Sequence, residues 1–133
     1  YEGEPAIKLE SAAAKGKDAL KLQPIIKSNV LDTTQMLLEI FENKEKHSKA
    51  DLAHSAHTYI AKGLATLATE KALKNNIKTI GFSGGTACNE ILTLTMRKTV
   101  EASGLRFLVH ETIPSGDGGL SFGQAVVGGF FQF

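Results

Sequence analysis

Two glycine-containing stretches in the second half of this sequence carry residue types that can hold a charged ligand. The first is Ser83-Gly84-Gly85, with Asn89 following shortly after. Glycines admit positive φ and let backbone come close to a ligand. A helix starting directly behind them, near Ala87, would add free N–H donors and a partial positive charge, which suit a phosphate or another anion. The stretch is neither a G-x-G-x-x-G fingerprint nor a lysine-bearing phosphate loop, so a plain tight turn is the competing reading. Asn89 could turn its amide to the same ligand or merely to solvent. The second stretch is Pro114-Ser115-Gly116-Asp117-Gly118-Gly119. Glycines flank Asp117 there and leave its carboxylate little shielded, which suits a hard divalent cation; a turn aspartate is the plainer alternative.

Other chemistry-bearing residues are weaker candidates. His54 and His57 are three apart on a helical pattern and share a face. No third metal ligand falls in register with them, so they read as a packed or surface pair. Cys88 lacks any base partner that would make it a nucleophile and reads as a small buried side chain. Phe130, Phe131 and Phe133 are either a core plug or a patch covered by other parts of a longer protein.

The surrounding pattern says how these residues would be positioned. Glu4 to Lys15 reads as a short exposed helix, with Pro5 in its first turn. Gly16-Lys17-Asp18 is a turn. Leu20, Leu22, Ile25 and Ile26 form an apolar run whose Pro24 favours an edge strand. Asp32-Thr33-Thr34 offers capping oxygens for a helix over Thr33 to Asn43, with Met36, Leu37, Ile40 and Phe41 on one face. The longest helical pattern runs from Lys49 to Lys74. Leu52, Ala53, Ala56, Ile60, Leu64, Leu67 and Ala68 recur there at three- and four-residue spacing, and its many small residues permit close packing. A strand over Ile77 to Phe82, a helix over Ala87 to Ser103 stopped by Gly104, and a strand over Leu105 to His110 make a βαβ unit. A glycine-rich helix over Leu120 to Phe130 ends the pattern. The expected class is α/β. In a parallel pair both glycine loops emerge at one edge, where open α/β sheets bind ligands. A phosphate cradle beside a metal carboxylate is what a nucleotide site needs.

Composition narrows the field. The 133 residues are one domain's worth of chain, 42% apolar and 22% charged, as in an ordinary globular protein. Fifteen Lys and Arg against 14 Asp and Glu give a net charge of +1, which excludes a strongly basic nucleic-acid module. One cysteine excludes an internal disulfide framework and points to a reducing compartment. No apolar run reaches transmembrane length. The chain opens on Tyr1 without an initiator Met or a signal-peptide pattern, which leads us to expect a piece of a longer protein.

These residues together resemble a known family. Tyr1-Glu2-Gly3-Glu4, His57 with Ile60-Ala61 behind it, Ser83-Gly84-Gly85-x-x-x-Asn89, and Pro114-x-x-Asp117-Gly118-Gly119-x-x-x-Gly123-Gln124-Ala125 look like the C-terminal part of the HypF family of hydrogenase-maturation carbamoyltransferases. The resemblance covers nearly the whole chain. The Ser-Gly-Gly-x-x-x-Asn element is shared with the tRNA threonylcarbamoyltransferases of the TsaD family, while the Asp-Gly-Gly ending and the Tyr-Glu-Gly opening favour HypF. Thr86-Ala87-Cys88 stands where the family more often has Val-Phe-Gln, and Phe82 where Leu is usual; neither departure touches the glycines or Asn89.

The resemblance implies one lobe of an actin/sugar-kinase/Hsp70-like ATPase fold (ribonuclease H-like), helix-rich with a small mixed sheet. It implies that residues 1–133 are the C-terminal lobe of a TsaD-like transferase domain, active only within a full-length cytoplasmic protein whose YrdC-like domain lies upstream. Such proteins use carbamoyl phosphate and ATP, through a carbamoyl adenylate, to carbamoylate the C-terminal cysteine of the partner HypE. By residue, Gly84 and Gly85 would face the nucleotide phosphates, Asn89 and Gly118 would bind the nucleotide nearby, and Gly3 and Glu4 would border its ribose and adenine. Asp117 would ligate a divalent metal. The catalytic residues are not implied. His57 matches a family position without an implied role, and His54 and His57 are distinct from the family's paired metal-binding histidines, which lie upstream. The expected partners are HypE and the upstream domains, with neither membrane nor direct nucleic acid; pairing of the fragment as a homodimer stays open. A tRNA-modifying lobe and a non-catalytic ATP-binding or assembly module remain as alternatives.

Overall fold

The computed structural model describes residues 3–130, so Tyr1, Glu2, Phe131 and Phe133 lie outside the described residues. Helix α1 covers Glu4–Ala13, strands β1 and β2 cover Ile25–Lys27 and Val30–Asp32, and helices α2 and α3 cover Thr34–Glu42 and Lys49–Lys74. Strand β3 (Thr79–Phe82), helix α4 (Glu90–Ala102) and strand β4 (Arg106–Val109) form the βαβ unit, and helix α5 (Leu120–Phe130) follows. This is the helix-rich α/β class expected. Its small sheet is divided into two pairs, β1–β2 antiparallel and β3–β4 parallel.

Helix α3 is the centre of the molecule. Ser48 caps it by accepting from the Asp51 N–H at 3.1 Å, and Lys71 and Lys74 oppose its C-terminal dipole. Small residues on several sides let neighbours close in: Ala53, Ala56, Ala61, Gly63, Ala65 and Ala72 are all buried. One side carries Ala61, Ala65 and Ala72 against Leu92, Met96 and Val100 of α4, with Leu105 and Phe107 of the β4 segment completing the core. Another carries Ala56 and Tyr59 against Met36 of α2, with Leu22 and Leu31 beside them. Helix α1 docks at the N-terminal end. Its buried Ala13 carbonyl lies 3.1 Å from His54 Nδ1, and Lys17 N–H donates to Asp51 at 2.9 Å. The Lys17 N–H, ahead of Ser48, holds the Asp51 carboxyl below its ordinary range. Its stabilising effect is therefore present at neutral pH and fades as the pH falls through that lowered value.

Several local expectations are revised. The apolar run before Lys27 is an edge strand only from Ile25, because Pro24 precedes the pairing residues. Strand β2 has no forerunner in the periodicity: three residues are too few to alternate visibly. It pairs through a two-residue turn at Ser28 and Asn29, both at positive φ (52° and 63°), the turn that suits a twisted hairpin. Helix α2 buries Met36 alone; Leu37 and Phe41, expected on its packed face, are exposed. Leu64 of α3 is likewise exposed. Helix α4 begins at Glu90 instead of Ala87, because Gly85–Cys88 forms a separate 3₁₀ turn. Helix α5 buries none of its residues, and Phe130 is 83% exposed, so Phe130 is no core plug.

Tyr59 ties the hairpin to α3. Its hydroxyl accepts from the Ile25 N–H at 3.0 Å and donates to the Asp32 carbonyl, so one side chain pins both strands. Tyr59→Phe is expected to destabilise the fold by about 1–3 kcal/mol, since it removes two hydrogen bonds in a partly buried setting. Chemical denaturation of the two proteins measures it.

Candidate functional site

The parallel register pairs Phe82 with Val109, so the loops after β3 and β4 leave the same edge side by side. Backbone and side chains stitch them together. Gly84 N–H donates to the Ser115 carbonyl at 2.8 Å. The Ser83 hydroxyl is 2.8 Å from His110 Nε2 and 3.4 Å from the Ser115 carbonyl. Cys88 Sγ lies 3.4 Å from Ser115 Oγ. Cys88 is exposed, not buried as expected, because it ends the 3₁₀ turn instead of lying within the first turn of a helix. His110 was not singled out by sequence pattern; only the strand pairing brings it together with Ser83 and Ser115 of the two loops.

Two glycines are required by geometry. Gly84 sits at φ 96° and ψ 172°, a region almost closed to other residues. At Gly119 a Cβ would stand 2.3 Å from the Pro114 carbonyl oxygen, a backbone atom that cannot easily yield. Gly118 differs: a Cβ there meets Pro114 Cβ at 3.4 Å, an ordinary contact.

Behind the first loop lies a cavity of about 530 Å³, within the usual range for small-molecule sites. Its wall brings together residues far apart in sequence: Gly3 before α1, His57 on α3, Gly85 and Thr86 of the 3₁₀ turn, and Asn89. The backbone N–H groups of Gly85 and Thr86 open that turn and find no acceptor among the described residues. They supply the donors expected from a helix start. Asn89 is the N-cap of α4, where its Oδ1 accepts from the Leu92 N–H at 3.0 Å. Its amide therefore neither points freely to solvent nor turns wholly to a ligand: the oxygen is used, the Nδ2 is left over.

The remaining candidates lie elsewhere. Glu4 pairs with Lys8 one turn along α1, which lowers its carboxyl below the ordinary value, and it is not part of the cavity wall. Asp117 and Gly118 are exposed at the second loop, in a short 3₁₀ turn. Among the described residues no three His, Cys, Asp or Glu side chains gather as a metal site. A hard divalent cation takes six or more oxygens, so Asp117 alone does not make one; further donors would have to come from beyond these residues. His54 and His57 do not form a metal pair, as each turns Nδ1 to a backbone carbonyl, Ala13 and Ala53 respectively.

The family described as carbamoyltransferase, Kae1-like domain, second subdomain matches residues 1–124. The chain belongs to this family, the HypF carbamoyltransferases. It is 41% identical to a probable carbamoyltransferase HypF of Methanocaldococcus jannaschii, over 95% of this chain and 17% of that protein. It is 30% identical to a carbamoyltransferase HypF homolog of Cupriavidus necator, over 95% of this chain and 34% of that one. Its fold matches the crystal structure of HypF from T. kodakarensis with a TM-score of 0.84 and 44% identity, covering 97% of this chain and 17% of that one. A full-length HypF in a phosphate- and nucleotide-bound form matches with a TM-score of 0.78 and 27% identity, over 96% of this chain and 17% of that one. The chain thus spans between a sixth and a third of the curated relatives it matches.

The glycines give a graded prediction. Gly84→Ala and Gly119→Ala should each cost about 1–3 kcal/mol of stability. Gly118→Ala should stay within about 0.5 kcal/mol. Thermal unfolding of the three variants separates them, and equal losses would show that the loop geometry is not what limits these positions.

Proposed function

We propose that residues 1–133 are the C-terminal lobe of the carbamoyltransferase domain of a longer cytoplasmic protein. In this reading the full-length protein uses carbamoyl phosphate and ATP, through a carbamoyl adenylate, to carbamoylate the C-terminal cysteine of HypE during maturation of nickel–iron hydrogenase. Membership of the HypF family supports it, and so does the name carbamoyltransferase carried by the relatives. The single observation within the molecule that carries it is the cavity joining Gly3, Gly85 and Asn89. That cavity gathers three of the residues expected to hold nucleotide, with unpaired backbone donors at its rim.

In this reading each group has a modest task. The Gly85 and Thr86 N–H groups face the nucleotide phosphate and offset its charge, as preorganised donors do at no reorganisation cost. The bond from Gly84 to Ser115 keeps the second loop, with Asp117 and Gly118, beside that phosphate. Asp117 contributes one oxygen to a divalent metal whose other ligands come from the rest of the protein. The reactive thiol is the partner's, which leaves Cys88 without a chemical role. No described helix is long and apolar enough to cross a membrane.

Incubating the full-length protein with labelled carbamoyl phosphate, ATP and HypE should place label on the HypE C-terminal cysteine. The isolated 133 residues should give none, and transfer by them alone would refute the half-site reading. Asp117→Ala in the full-length protein should weaken metal-dependent nucleotide binding by about tenfold or more. Unchanged binding in a calorimetric titration would remove Asp117 from the metal site.

A further inference from the structure

The parallel strand pair brings together a hydroxyl and an imidazole to which the reading above gives no task. Ser83 directly follows β3 and His110 directly follows β4, and the register that pairs Phe82 with Val109 sets the two side by side. Ser83 Oγ lies 2.8 Å from His110 Nε2. The hydroxyl has one hydrogen and two neighbours able to accept it. The Ser115 carbonyl, at 3.4 Å, is beyond the usual O–H···O length. The hydrogen therefore goes to Nε2, and Nδ1 carries the imidazole proton. Both side chains are exposed, and both line an open cavity of about 640 Å³ bordered by Gly116, Gly119 and Gly123. That volume lies within the range of small-molecule sites. A nucleophile and a base within hydrogen-bond reach, at the carboxyl edge of a parallel pair, have the arrangement that nucleophilic catalysis requires.

We propose that Ser83 and His110 form a nucleophile–base pair that takes an acyl or carbamoyl group from an activated ester and holds it on Ser83. This activity lies beyond the transferase reading and does not depend on it. Ser83 Oγ attacks the carbonyl carbon while its proton passes to Nε2. The bond to the leaving group breaks, that group departs with the bonding pair, and Nε2 releases its proton to it or to water. A water molecule, giving a proton to Nε2, then cleaves the new ester, releases the acid and restores the hydroxyl. Among the described residues no carboxylate holds His110 Nδ1. The pair is thus a dyad, and its turnover is slow. Carbamoyl esters hydrolyse slowly as well, because the nitrogen lone pair weakens the electrophilicity of their carbonyl. A carbamoyl group on Ser83 therefore accumulates.

Incubating the full-length protein with 4-nitrophenyl N,N-dimethylcarbamate, followed by peptide mass mapping, tests this. The dimethylcarbamoyl group is expected on the hydroxyl of Ser83. His110→Gln keeps a side chain that can hydrogen-bond Ser83 but cannot take its proton at Nε2. In that variant modification of Ser83 should slow by about a hundredfold or more, with little change in melting temperature. Cys88 is the competing nucleophile, exposed and close to the same loop. Modification of Cys88 with Ser83 left unmodified overturns the proposal. So does an equal rate of Ser83 modification in His110→Gln and the wild type. The site of modification in the wild type decides the matter even where the variant folds poorly.

Discussion

Close approach to helix α3 is the constraint on which the rest of the molecule depends. A helix hemmed in on several sides cannot carry large side chains all round, and α3 meets the demand with alanine and glycine. At Gly63 a Cβ would stand 2.4 Å from Leu31 Cδ1, and at Gly16 a Cβ would stand 2.2 Å from the Ala50 carbonyl oxygen of α3. The second contact is with backbone, so the turn after α1 can lie against α3 only because residue 16 has no side chain. The same closeness brings α1, α3 and the 3₁₀ turn into the wall of one cavity.

The second organising feature is the short parallel pair β3–β4. Four residues in each strand are few, and the pair is held mainly by its packing. Ile80, Phe82 and Val109 lie on the α3–α4 core, and Phe82 and Phe107 rings meet at 6.4 Å. With the strands parallel, both following loops leave on one side, and the Ser83, Gly84 and Ser115 bonds fix their separation. The loops thus gain a defined geometry although neither has a regular element of any length.

Apolar surface is distributed unevenly. The core takes Val100, Leu105 and Phe107, whereas Leu120, Phe122, Val127 and Phe130 of α5 are at least half exposed. Exposed apolar residues gathered on one element commonly mark a contact face. The chain matches 17% of the length of the M. jannaschii relative, and the proposed remainder of the transferase domain would give such a face its cover.

From the sequence alone, element type was legible wherever a local rule was strong. Residues 49–74 repeat apolar and small side chains long enough to show a helical period, and Gly104 marks a helix end by its left-handed backbone, φ 76°. The two glycine loops and Asn89 were legible too, because strand–glycine–helix order predicts one common edge. Other features were decided only by tertiary structure. Strand β2 is three residues long and has no periodicity to read. Leu37 and Phe41 obey a helical pattern yet are exposed, since pattern gives a face but not what covers it. The start of α4 moved to Glu90 because the Asn89 oxygen caps it, a competition that propensity alone does not resolve. That His57 lines one cavity wall with Asn89, 32 positions further along, was likewise decided only by packing. Spacing along one helix can place two histidines on a face. Which partner each takes, the Ala53 carbonyl of the same helix for His57 and the Ala13 carbonyl of α1 for His54, is decided only in the folded chain, where α1 packs against α3.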